Sequence, residues 1–319
     1  MSRRWNWDFE DEPRGRRPTP PRLPLQRLRP SGAARFRRRR LGAALGVALL
    51  VIVLAVVLTA SHGSGAARSA GARARSGHAA TPPPEPAVDA REREQKTVDS
   101  VLGYTPFVRS GGGHAKEIAL TFDDGPGPYT PKVLDVLERE HVPATFFVIG
   151  EELRYFSAST TREIRDGFAI GDHTETHPML AQLTAHDQHE QLFEQAARVE
   201  ILGAPRPRLF RPPYGSFDTT TFHLLHQMRM LMVLWSVDTD DYEQPGIEVI
   251  VHRALEGAAP GAIILMHDAG GDRAQTIAAL PTIVEQLRKR GYRLVSVPQL
   301  LHDDPPPAGQ PLPSNLSGG

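Results

Sequence analysis

Between residues 114 and 302 the chain alternates short apolar runs with longer amphipathic stretches. The apolar runs at 118–122, 144–149, 168–171, 209–210, 230–237, 262–266 and 293–297 read as strands. The stretches at roughly 131–140, 152–166, 184–202, 218–229, 247–256 and 272–290 read as helices. Strand–helix alternation on this scale predicts an α/β domain with a parallel sheet, specifically a distorted TIM-like (β/α) barrel of about seven strands. In such barrels the chemistry sits at the C-terminal ends of the strands, so the residues that follow each run carry the functional information.

Upstream the pattern changes. Residues 41–60 are apolar on every face and carry no charge, long enough to span a bilayer core at ~20 residues. The segment 1–40 carries 13 Arg against four acids, with Arg35 and Arg37 to Arg40 directly before the apolar band. The positive-inside rule then places the N-terminus in the cytoplasm and the remainder outside. This predicts a single-pass cell-membrane protein with an extracellular body; the alternative is secretion after cleavage near residue 60. The expected organisation is a disordered Arg/Pro-rich tail (1–40), a transmembrane anchor (41–60), a Pro/Ala/Gly linker (61–113), the globular domain (114–302) and a disordered tail (303–319). The overall charge of zero hides this polarity: the basic head is balanced by an acidic body, which makes nucleic acid an unfavourable partner. Protein partners are not legible.

The strand ends share a character. Run 118–122 leads into Asp123-Asp124-Gly125-Pro126, and 168–171 into Asp172-His173-Thr174-Glu175-Thr176-His177-Pro178. The next ones lead into Arg211-Pro212-Pro213-Tyr214-Gly215, Asp238-Thr239-Asp240-Asp241-Tyr242 and His267-Asp268. Adjacent carboxylates disfavour double ionisation unless a positive group lies beside them. In a plain strand they would point to opposite faces, but the Gly-Pro break lets both turn toward one site. The chain has no Cys, so a metal would be held by His, Asp or Glu. His173 and His177, with Asp124 or Asp123, make a three-ligand set with an open position. The other carboxylate is then free to act as a general base. His267 matches as an acid, with Asp241 or Asp238 as its orienting carboxylate, and Arg211 can hold the base ionised. His186 and His189 lie in a polar helical stretch and read as solvated. The residues predict a metal-assisted hydrolase of a carbonyl compound without naming its substrate.

Taken in order, these five segments resemble the motifs of the polysaccharide deacetylases, carbohydrate esterase family four, also called the NodB homology domain. The resemblance covers 114–302. It implies Asp123 as general base, Asp124, His173 and His177 as ligands of a divalent metal (Zn²⁺ first, Co²⁺ or another ion as alternatives) and Arg211 as the partner of Asp123. It further implies the Tyr214 N–H as an oxyanion donor, His267 as general acid, Asp241 as its tuning carboxylate, and Leu265 and Tyr242 as walls around the acetyl methyl. Tyr242 departs from the family pattern, which usually has Trp there, and this bears on the shape of the acetyl pocket. The implied reaction is removal of N-acetyl groups from a cell-surface polysaccharide. Peptidoglycan N-acetylglucosamine is the first expectation, since an anchored enzyme works near the membrane. Chito-oligosaccharide deacetylation, acetylxylan O-esterase activity and a non-catalytic glycan-binding module are the alternatives.

Overall fold

The structure, a computed structural model, describes residues 87–312. The expected cytoplasmic tail, the anchor at 41–60, most of the linker and the last seven residues lie outside the described residues. Among the described residues no helix is long and apolar enough to cross a membrane.

Nine strands form one curled, parallel sheet, consistent with a TIM-like barrel. They are β1 (Phe107–Val108), β2 (Glu117–Asp123), β3 (Thr145–Val148), β4 (Ala169–Asp172), β5 (Leu209–Phe210), β6 (Leu231–Val233), β7 (Val237–Asp238), β8 (Ala262–His267) and β9 (Arg293–Val295). Their order is β1-β6-β5-β4-β3-β2-β8-β7, with β9 also paired to β2. Every strand pairing is parallel. The central strand β2 meets β8 along one edge. Along the other it meets β9 through Glu117 to Ala119 and then β3 through Thr121 and Phe122. All seven residues of β2 are buried, as expected of a parallel strand covered on both faces.

The two-residue period sorts those side chains. Ile118, Leu120 and Phe122 enter the outer core, which also takes in residues of α2 (Thr130–Arg139), α3 (Leu153–Arg165), α6 (Ile247–Glu256) and α7 (Ala274–Lys289). Ala119 lies instead in an inner cluster with Phe147, Leu209, Val233 and Ile263. Thr121 and Asp123 share the face of Ala119, so the strand carries its catalytic candidate on the barrel interior. The register levels the strand ends: Asp123 stands opposite His267, Val148 opposite Asp172, and Asp172 opposite Phe210.

The expected helices appear as α2, α3, α4 (Ala185–Ile201), α5 (Thr219–Gln227), α6 and α7. The structure departs from the expected strand count and adds elements outside the expected domain bounds. The count of about seven strands becomes nine because β1 lies inside the expected linker and because the run 230–237 is two strands. β6 pairs with β1 and β5, whereas β7 pairs with β8; the chain changes partners at Trp235 and Ser236. The linker expected up to 113 contains α1 (Ala87–Leu102). Its sequence is mostly charged and polar, with a short apolar stripe at Val98 and Val101 that packs into the inner cluster. The domain also runs past 302. α8 (Val297–Asp303) begins with a Ser296 cap and a proline in its first turn. The buried Asp304 accepts from the backbone N–H of His114 (2.8 Å) and Ala115 (3.0 Å). Gln310 accepts from Arg109 N–H at 2.6 Å.

Candidate active site

Asp123 and Asp124 reach the same site by different backbone routes. Asp123 is the last residue of β2. Asp124 leaves the strand at φ +69°, a left-handed conformation uncommon for a non-glycine residue, and its carboxylate stays beside that of Asp123. His173 Nε2 lies 3.5 Å from Asp124 Oδ1 and 3.8 Å from Asp123 Oδ2. His177 Nε2 lies 3.1 Å from Asp124 Oδ1.

The ring of His173 is oriented from behind. Its Nδ1 is 2.7 Å from the carbonyl oxygen of Arg211. A carbonyl can only accept, so Nδ1 carries a proton, and Nε2 is the ring atom turned toward Asp124. The Asp172 carboxylate accepts from Thr174 N–H at 2.7 Å and the Thr174 hydroxyl accepts from His177 N–H at 3.0 Å, which shapes the loop between the two histidines.

Asp124, His173 and His177 can each offer one ligand atom, all within 4.8 Å of one another. Asp124 Oδ1 is buried and accepts no hydrogen bond, although two imidazole nitrogens converge on it. Such an orphaned acceptor is costly unless a cation completes it. Burial opposes ionisation of Asp124, yet His173, His177 and the positive charge of His267 hold its carboxyl well below the usual range. One carboxylate oxygen and two imidazole nitrogens suit a divalent metal with a position left for substrate or solvent. The residues fit a divalent metal.

Arg211 follows β5 and is completely buried. Its Nη1 donates to Asp123 Oδ1 (2.7 Å) and to the Thr121 hydroxyl (2.8 Å), its Nε to the Val233 carbonyl (3.0 Å) and its Nη2 to the Leu234 carbonyl (3.3 Å). The Phe147 ring lies 4.2 Å from the guanidinium carbon. A buried charge is tolerated when it is paired and its donors are used. Here the break between β6 and β7 supplies the second pair of acceptors.

On the opposite side, His267 Nδ1 lies 2.7 Å from Asp241 Oδ1, and the other Asp241 oxygen accepts from His267 N–H at 2.9 Å. The Thr276 hydroxyl donates to that same oxygen at 2.7 Å. Burial alone would lower the pKa of His267; Asp241, with Asp124 and Asp123 beyond it, raises it to about 9. Residue spacing left Asp241 and Asp238 both open as this partner, and the motif resemblance implied Asp241. Asp241 holds the imidazole, whereas Asp238 accepts from Asp240 N–H and is pushed up to about 6 by burial.

Two tyrosines flank the centre, both about half exposed. Tyr214, at φ +58°, meets His177 edge-to-face with ring centroids 4.5 Å apart. Tyr242 meets His267 in the same manner at 5.4 Å. Leu265 is buried two residues before His267, on the same face of β8. Each predicted site residue therefore lies at the C-terminal end of the barrel, in or beside this cluster. Sequence reasoning missed Thr276, the use of Thr121 as a partner of Arg211, and Asp268, whose carboxylate accepts from the Thr130 hydroxyl. Asp268 lies beside His267 in the quoted motif; Thr276 is a lone threonine in a helix, and only its contact reveals it.

A family model described as polysaccharide deacetylase matches residues 110–233. A peptidoglycan-N-acetylglucosamine deacetylase of Bacillus cereus is 34% identical over 216 residues, covering 65% of this chain and 78% of that protein. A chitooligosaccharide deacetylase of Sinorhizobium fredii is 38% identical over 211 residues, covering 62% of this chain and 98% of that protein. The solved structure of a peptidoglycan N-acetylglucosamine deacetylase in complex with a benzamide derivative superposes with a TM-score of 0.60 at 34% identity, covering 64% of this chain and 96% of that one.

Proposed function

The chain belongs to the polysaccharide deacetylase family, and from that premise we propose that it hydrolyses N-acetyl groups on peptidoglycan N-acetylglucosamine, releasing acetate. The observation that carries this reading is the pairing of two differently held groups across one cluster. Asp123 accepts from the buried Arg211 at 2.7 Å, and Asp241 raises the pKa of His267 so that the imidazole holds a proton. A carboxylate placed to accept a proton and an imidazolium placed to give one are what amide hydrolysis needs.

Asp124, His173 and His177 would hold the cation, with Zn²⁺ the ion their donor set suits best and Co²⁺ the next. When bound, it supplies Lewis-acid polarisation of the acetyl carbonyl. Asp123 takes a proton from the attacking water. The Tyr214 N–H serves as a donor to the oxygen that gains charge. His267 gives its proton to the sugar nitrogen as the carbon–nitrogen bond breaks, so the products are acetate and a free amine. Asp241 keeps the imidazole charged and oriented until that transfer. Leu265 and Tyr242 bound the space for the acetyl methyl, and Tyr242 offers the sugar an aromatic face.

Chito-oligosaccharide is the second reading, favoured by the similarity to the Sinorhizobium fredii protein. The apolar band at 41–60 and its Arg-rich flank support an anchor that places the domain outside the membrane, next to the wall polymer. Acetate release by the full chain, loaded with Zn²⁺, from peptidoglycan, chitin oligomers and acetylated xylan is the test. Release from an N-acetylated glycan, abolished in Asp123→Ala, supports the proposal and selects the substrate. Release from xylan alone moves the reaction to ester hydrolysis. Silence on all three substrates sinks the deacetylase reading.

A further inference from the structure

The loop from His173 to His177 has an awkward backbone. Thr174 (φ +69°) and His177 (φ +59°) are both left-handed and neither is glycine. Such conformations persist where surrounding structure over-determines them. The two residues between them do not face the metal candidates; they are held by the next helix. α4 presents Gln191, Gln195 and Arg198 at spacings of four and three, which places them on one helical face. Gln191 Oε1 accepts from Thr176 N–H at 2.9 Å, and its amide nitrogen donates to the Thr176 hydroxyl at 3.0 Å. Gln195 donates to the Val148 carbonyl at 2.8 Å, two residues before the segment that pairs with the loop. There Gly150 N–H and Glu151 N–H donate to the carbonyls of Thr174 and Glu175 at 3.0 and 2.8 Å.

The strongest tie is Glu175, whose side chain is buried. Arg198 Nε reaches its two oxygens at 2.7 and 2.8 Å, and Arg198 Nη2 lies 2.7 Å from Oε1. Arg154 is 3.9 Å away. The carboxylate lies against Gly150, where a Cβ would come within 2.0 Å of Glu175 Oε2; the absence of a side chain there is what admits it.

We propose that Arg198, acting through Glu175 with Gln191 and Gln195 beside it, is a positioning residue for the metal centre: α4 locks the ligand loop in the shape that brings both imidazoles onto Asp124. The proposal rests on the reading of Asp124, His173 and His177 as metal ligands. It predicts that metal affinity depends on a helix that contributes no ligand, since partners one step behind the ligands are worth roughly 10–100-fold in affinity.

The test is metal affinity in the full chain, measured by titrating Co²⁺ or Zn²⁺ against a competing chelator. Alongside it, the thermal midpoint of the metal-free protein is recorded for wild type, Arg198→Met, Arg198→Lys, Glu175→Gln, the double variant Glu175→Gln/Arg198→Met, and His173→Ala. Arg198→Met is expected to weaken binding by roughly 10–100-fold, at a temperature where the metal-free variant is still folded, and Arg198→Lys to recover part of the loss. The double variant, which leaves no unpaired charge, is expected to bind as weakly as the worse single variant. If the double variant folds and binds metal within twofold of wild type while His173→Ala does not bind, the loop needs no clamp and the proposal is overturned. If His173→Ala binds as wild type, the metal-ligand reading itself fails, independently of Arg198.

Discussion

The two ends of the barrel handle charge in opposite ways. Where the chain enters the strands, arginines at or near the surface pair with nearby acids. Arg162 bridges Asp135 and Glu138, Arg293 bridges the buried Glu117 and the more exposed Asp303, and Arg208 and Arg229 share Asp99. Water screens most of these pairs, and each contributes little. Where the strands end, the charged groups are buried and their partners are chosen one by one: Arg211 for Asp123, Asp241 for His267, two imidazoles for Asp124. At the active end burial raises the pKa of Asp268 to about 7 and that of Asp238 to about 6, while Asp124 and Asp241 are held below the ordinary value against it; at the other end burial raises that of Glu117, and Asp303 and Asp99 are held below the ordinary value despite it. One end spends its charges on solubility and register, the other on chemistry. Only at the second end should single substitutions remove activity.

The largest expected effect tests that statement directly. Asp123→Asn keeps the shape and removes the base, so kcat should fall by roughly 10²–10⁴-fold, while the metal titration stays close to wild type. A loss of metal with activity in step would place Asp123 among the ligands and redraw the site.

Arg211→Met should come next, and it should damage both properties. It strands the buried Asp123 carboxylate and the carbonyls of Val233 and Leu234. Breaking a buried pair in this way costs about 3–5 kcal/mol. Urea unfolding measures that cost, and a variant as stable as wild type would show that the pair is dispensable to the fold.

A third prediction concerns pH. His267 must carry a proton to act as an acid. Its pKa is raised to about 9 by Asp241 against the opposing effect of burial, so kcat should fall as pH rises through about 9 or somewhat below, a bound cation pulling the value down. Asp241→Asn removes the negative partner and should move that limb toward the ordinary imidazole value of about 6.5. In the metal-free chain the same raised pKa stabilises the fold. That contribution is complete below about pH 6.5 and is lost as pH passes about 9. An alkaline limb that does not move in Asp241→Asn would assign it to another group.

The smallest effect belongs to the other end. Arg162→Gln loosens the partly exposed contacts to Asp135 and Glu138 and should cost no more than about 1 kcal/mol with kcat unchanged. A large loss of activity there would erase the distinction between the ends.

Much of the site was legible because its residues cluster in short segments after apolar runs. Asp123, Asp124, His173, His177, Arg211, Asp241 and His267 each stand at or just after a strand end, and a barrel gathers such positions at one rim. Thr276 and Arg198 were not legible, since a threonine or arginine in an amphipathic helix looks the same whether it meets a carboxylate or water. α1 falls in the expected linker because, among its described side chains, Val98 and Val101, with Leu102 beside them, are the apolar ones that reach the core; the rest of its pattern is that of a solvated helix or a charged tether. The division of 230–237 was hidden for another reason: a continuous apolar run does not record the point at which a strand changes neighbours.

By itself the sequence determined the α/β architecture, the order of the strand ends, and the residue types brought to them, because hydrophobic period and turn chemistry are local. Residue types and spacing left open which carboxylate serves which partner; the motif resemblance implied the pairing, and the tertiary structure supplies its distances. Asp241, not Asp238, holds His267, and Asp124, not Asp123, receives both imidazoles at close range. The reason is physical: protonation state and pairing depend on burial and on distances of a few ångströms between segments far apart in the chain, and no local pattern encodes them.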